Sequence, residues 1–132
     1  MRLLRRSLLY FFSVFFLVFG LIGVFAPAML IPELHLRPIT LAGLGELRGV
    51  YGGGFFAFGL VMLAGLRSKT NGPGLLLAMC IIFTCIAVGR LFSILFEQDF
   101  VFAAQTAIPE IIMAVCCFYE SRYESRPGLA RA

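Results

Sequence analysis

The chain reads as an all-α membrane protein, a bundle of four transmembrane helices with short loops, and three observations predict that class. Composition comes first: 61% of the 132 residues are hydrophobic and 14% charged, with a mean hydropathy of +0.97. A soluble domain carries about 45–50% apolar and about 25% charged residues, so a water-soluble fold is excluded. Second, the apolar residues gather into four stretches, each long enough for a hydrocarbon core of about 30 Å. Third, the positive residues behind the net charge of +4 stand at the ends of those stretches and do not alternate with exposed aromatics. That arrangement fits membrane orientation and excludes a nucleic-acid partner. A single transmembrane domain over residues 1–132 is expected, with spans at about 8–28, 44–66, 75–96 and 101–119.

The first stretch, about Leu8 to Ala28, is rich in Phe, Leu and Val and holds no charge. Its basic approach (Arg2, Arg5, Arg6) and the small residues Ala26 and Ala28 also suit a signal peptide. The apolar run exceeds the about 7–15 residues of a signal core, however, which favours an uncleaved span. Pro27, Pro32 and Pro38 then break any helix, and the intervening Glu33, His35 and Arg37 alternate with Leu and Ile as in a loop resting on the headgroups. The second span ends at Arg67-Ser-Lys69-Thr-Asn-Gly-Pro73, a turn that forbids helix continuation. The third closes on Glu97-Gln98-Asp99, and the fourth runs to Tyr119 before a polar tail.

Orientation follows from Lys and Arg near the span ends. Arg2, Arg5 and Arg6, then Arg67 and Lys69, then Arg122, Arg126 and Arg131 share one side if the number of spans is even. The opposite loops offer Arg37 alone. Both termini and the middle loop are therefore expected in the cytoplasm, with Tyr10, Tyr119 and Tyr123 near the headgroups on that side.

Glu46, Arg48, Arg90 and Glu110 fall inside or at the edge of spans, where a lone charge costs at least about 3 kcal/mol and ionised groups normally pair. At a rise of about 1.5 Å per residue, Arg48 lies about 6 Å and Tyr51 about 10 Å below the outer surface. Arg90 falls at similar depth, and Glu110 lies deeper, near the midplane. A cluster of Glu46, Arg48, Tyr51, Arg90 and Glu110 in the outer half of the bilayer is the expected ligand site. Arg48, Tyr51 and Phe55 share a face at i, i+3 and i+7, with the Tyr51 hydroxyl available to an acid bound to Arg48. A neutral ion-pair network that only fixes helix register is the competing reading.

Gly45, Gly49 and Gly53 lie four residues apart, a doubled GxxxG ridge expected to pack another helix, within the chain or from a second copy. In the fourth span Pro109 frees the carbonyl of Gln105, beside Thr106 and Glu110 on one face. Cys80, Cys85, Cys116 and Cys117 lack CxxC or Cys/His spacing and read as small apolar fillers; His35 reads as an interfacial residue. No P-loop, GxGxxG, HExxH, GxSxG or haem-attachment motif occurs, and neither a cofactor nor a metal site is expected.

The string Glu46-Leu-Arg48-Gly-Val-Tyr51-Gly52-Gly53, with Gly89-Arg90 and Glu110, resembles a bacterial family of four-helix integral membrane proteins catalogued as a domain of unknown function. The resemblance spans nearly the whole chain, and E-x-R-x-x-Y-G-G is its most specific part. It implies a bacterial inner membrane and a shared site for Glu46, Arg48, Tyr51, Arg90 and Glu110, and it transfers no activity. The layout is more weakly similar to the DoxX-like group, some members of which are linked to quinone or thiol oxidation.

Three functions stay open. The first is a site in which Arg48 and Arg90 engage a lipid-soluble or amphipathic small molecule while Glu46 and Glu110 balance charge. The second is a membrane-embedded isomerase or quinone-linked oxidoreductase with Glu110 as the candidate catalytic acid or base. The third is an accessory subunit whose glycine ridge docks a membrane-protein partner. Beyond the lipid bilayer, the expected partners are accordingly a small lipophilic ligand, a second copy or another membrane protein.

Overall fold

A computed structural model describes residues 2–32, 34, 41–97 and 100–124. The loop residues Glu33, His35, Arg37 and Pro38, the link Gln98-Asp99 and the tail residues Arg126 and Arg131 lie outside the described residues. Among the described residues the regular structure is entirely helical.

Helix α1, Arg2–Phe25, starts before the apolar run because Arg2 to Ser7 contain no helix breaker. It stops ahead of Pro27, whose ring pushes the preceding residue out of the helical region; Ala26 has φ −133° and ψ 54°. Pro27 then opens a short 3₁₀ turn, Pro27–Met29, closed by Leu30 N–H donating to the Pro27 carbonyl at 3.0 Å. Helix α2, Leu41–Leu47, runs through a π-helical segment, Arg48–Gly54, into α3, Phe55–Arg67. The turn after α3 is tied by the Asn71 N–H donating to Ser68 Oγ at 3.0 Å, a local bond that competes with helix continuation. Helix α4, Gly72–Glu97, carries Pro73 in its first turn, where no N–H is needed. Helix α5, Phe100–Glu124, holds Pro109 in its interior.

Three stretches among the described residues are long and apolar enough to cross a membrane: Arg2–Phe25, Gly43–Arg67 and Gly72–Arg90. The surface agrees with a hydrocarbon solvent, since Phe11, Phe25, Ile81, Phe92 and Ile108 are all exposed while Ser13, Glu120 and Ser121 are buried. In water that distribution would be inverted.

The chain divides into two compact units, one of Met1–Leu9 with Ala64–Ala132, the other of Tyr10–Leu63. In the first, α5 packs along α4 as an antiparallel hairpin. Leu76, Met79, Phe83 and Ala87 of α4 are buried at intervals of three or four residues, and Ala107, Met113, Ala114 and Cys117 of α5 are buried with them. In the second unit α1 meets the π segment and α3 at close range. A Cβ on Gly23 would lie 2.7 Å from Gly52 Cα, one on Gly20 2.5 Å from the Phe56 nitrogen, and one on Gly59 2.7 Å from the Ser13 carbonyl oxygen. Phe55 fills the space between, its ring centroid 5.4 Å from that of Phe16 and 5.2 Å from that of Phe19.

The glycines that permit this approach are not those of the expected ridge. Gly45 and Gly49 face no described atom within 4 Å of an added Cβ, and Gly53 meets only the Arg48 carbonyl oxygen of its own helix, at 4.0 Å. The π segment explains the change. Its i→i+5 bonding draws more residues into each turn, so the face continued from Gly45 by α-helical counting rotates away and Gly52 turns toward α1.

Candidate functional site

Arg90 and Glu110 are the paired charges of the α4–α5 hairpin. Arg90 Nε donates to both carboxylate oxygens of Glu110 at 2.9 Å, and Nη2 donates to Oε1 at 2.8 Å. Such multiply bonded guanidinium–carboxylate contacts are directional and stronger than neutral hydrogen bonds. The Glu110 side chain keeps 12% of its surface exposed and that of Arg90 30%. Among the described residues Arg90 Nη1 makes no hydrogen bond, so both N–H groups of Nη1 remain for another group. Pro109, immediately before Glu110, has no N–H to give the Gln105 carbonyl one turn earlier. The hairpin thus holds, within one unit, a fixed ion pair and a guanidinium edge left open among the described residues.

Glu46, Arg48 and Tyr51 belong to the other unit. Glu46 on α2 and Arg48 at the start of the π segment are exposed, and within that unit neither forms an ion pair with a described residue. Tyr51 is half-buried, and its ring stacks on Phe55 with centroids 5.8 Å apart and planes 14° from parallel. The expected Tyr51 bond to an acid held by Arg48 is absent among the described residues of that unit. Tyr51 and Phe55 keep the expected common face, while the wider π turns over Arg48–Gly54 carry Arg48 off it. The four cysteines are free thiols, Cys117 buried and Cys85 exposed.

A model of one protein family matches residues 4–120, nearly the whole described helical chain. The chain belongs to the family described as Domain of unknown function (DUF4345). No curated protein and no solved structure matches it. In this DUF4345 chain the matched segment contains Arg5, Arg6, Arg90, Glu110 and Glu120, and ends before Tyr123.

A second charge cluster of the DUF4345 fold escaped the reading of the sequence. Glu120 is buried with no exposed surface, and three arginines from the first turns of α1 converge on it. Arg5 donates from Nε to Oε2 at 2.8 Å and from Nη2 to the same oxygen; Arg6 Nη1 reaches Oε1 at 3.2 Å and Arg2 Nε reaches it at 3.4 Å. Arg6 Nη2 also donates to the Leu66 carbonyl at 2.7 Å. Two signals for this cluster were present in the sequence. Arg2, Arg5 and Arg6 stand at i, i+3 and i+4 on one helix face, and Glu120 continues the buried series Met113, Cys117 at helical spacing. Ending the fourth span at Tyr119 and treating the arginines as orientation charges concealed the match.

Proposed function

We propose that this chain is a multi-pass protein of the bacterial inner membrane that binds a small amphipathic molecule at the Arg90–Glu110 pair. The observation that carries the reading is the incomplete use of Arg90. Glu110 fixes the guanidinium through Nε and Nη2, and Nη1 stays unbonded among the described residues on a side chain that is 30% exposed. A donor left unused in an apolar medium costs free energy, which a ligand acceptor at Nη1 would offset. A free guanidinium edge suits a carbonyl, carboxylate or other oxygen acceptor on a ligand whose remainder lies among exposed apolar residues such as Ile108 and Ile111 of α5. Both ends of the chain are assigned to the cytoplasm on the distribution of Lys and Arg.

Native mass spectrometry of the protein extracted gently from its own membrane tests this. A small molecule bound to the wild type and missing from both Arg90→Ala and Glu110→Gln, each still folded by circular dichroism, supports the proposal. An empty wild-type protein, or a ligand kept by both variants, overturns it.

A further inference from the structure

Two opposite charges at the start of the second apolar stretch have no partner in their own unit. Glu46 on α2 and Arg48 at the head of the π segment both lie within Gly43–Arg67, a stretch long and apolar enough to cross a membrane. Both are exposed, and within their unit neither forms an ion pair with a described residue. A charge carried by a membrane span normally pairs, because lipid does not solvate it. The two cannot satisfy each other: at about 100° per residue, positions two apart point to nearly opposite sides of a helix.

Between them the helix is smooth. Gly45 and Gly49 are exposed, and an added Cβ on either would meet no described atom within 4 Å. Leu47 keeps only 4% of its surface exposed, so this turn holds its leucine inward and its glycines and both charges outward. Glu46 therefore stands on one flank of the line from Gly45 to Gly49, and Arg48 on the other. The glycines alone mark only a face that another helix can approach closely. The charges select the helix that fits it.

Such a helix must bring a cation to the Glu46 flank and an anion to the Arg48 flank. A second copy does both. Copies inserted in the membrane in the same sense run this helix parallel, and a twofold axis along the membrane normal turns the Glu46 flank of each toward the Arg48 flank of the other. The two residues differ in level by about 3 Å, within reach of a long arginine side chain. Flanking charges pair across parallel coiled coils in the same manner.

We infer that the chain forms a parallel twofold homodimer through its Gly45–Gly49 face, with Glu46 of each copy paired to Arg48 of the other. The glycines bring the two backbones close, and an ion pair borders the contact on each flank. This interface is separate from the Arg90–Glu110 pair and does not depend on its having a ligand.

The test is Förster transfer between donor-tagged and acceptor-tagged full-length chains in phosphatidylcholine vesicles, followed as added lipid dilutes the protein. The wild type is expected to show saturable transfer. Glu46→Arg and Arg48→Glu each set like charges face to face on both flanks, and each should weaken self-association about tenfold or more. Mixing the two variants decides the matter. One supplies only positive flanks and the other only negative ones, so the mixed dimer should form as tightly as the wild type. Gly45→Ile puts a branched side chain on the contact face, where its own chain leaves open space, and should abolish transfer while leaving the helical circular dichroism unchanged. Single variants that self-associate as the wild type does, or a mixture no tighter than either variant alone, overturn the proposal. Wild-type chains that stay monomeric in these vesicles overturn it as well, leaving the face to lipid or to a different helix.

Discussion

Gly23 of α1 and Gly52 of the π segment meet backbone to backbone: a Cβ on Gly52 would stand 2.7 Å from the Val24 nitrogen, and one on Gly23 2.7 Å from Gly52 Cα. Neither obstacle is the end of a flexible side chain, so neither can swing away. Gly52→Ala should therefore destabilise the protein by about 1–3 kcal/mol through overpacking. Gly49→Ala, in the same segment with open space around it, should be neutral or stabilising by up to about 1 kcal/mol. Thermal melting in detergent separates the two, and equal effects would mean that the close approach does not set the packing.

The Arg90–Glu110 pair makes its own quantitative demand. Removing one partner leaves the other uncompensated, so Arg90→Ala should cost about 3 kcal/mol, near the lower bound for buried pairs because Arg90 is 30% exposed. The double variant with Glu110→Ala should cost clearly less than the sum of the single changes. Reversible unfolding of all four proteins in mixed micelles gives the coupling energy, and strict additivity would show that the pair is not formed.

Glu120 and Arg2 should differ sharply although they touch. Glu120 has no exposed surface and gathers three guanidiniums, so Glu120→Ala should cost about 3 kcal/mol or more. Arg2, 40% exposed and at the longest distance, should cost under about 1 kcal/mol when changed to Gln. Melting curves of the two variants test the contrast, and a Glu120→Ala protein as stable as wild type would remove the acid from its organising role.

Membrane orientation is open to a direct measurement. Carboxy-terminal fusion to green fluorescent protein should fluoresce and fusion to alkaline phosphatase should be inactive if the tail lies in the cytoplasm, as the positions of Arg122, Arg126 and Arg131 predict. The opposite pattern would overturn the cytoplasmic assignment of the carboxy terminus.

Part of the site was legible because pairing within a helical hairpin is nearly local. Over residues 75–96 of α4 and 101–119 of α5 Arg90 and Glu110 are the charged side chains, and a short link joins the two helices. The expected association of Tyr51 with Arg48 rested on α-helical counting, which the π segment invalidates over Arg48–Gly54. Within the chain, the close approach to α1 falls on Gly52 and Gly59 and not on Gly45, Gly49 and Gly53.

By itself the sequence determined the class of solvent around this protein, the helical content and the positions of its charges, because transfer of apolar side chains and satisfaction of backbone hydrogen bonds in lipid depend on composition and run length alone. Which face each helix presents, and which distant charges meet, was decided by tertiary structure. Arg5 and Glu120 are 115 positions apart, and no local pattern ties one to the other. Their contact depends on the angular setting of α1 and α5 within one compact unit, which close packing of side chains settles and a one-dimensional period does not.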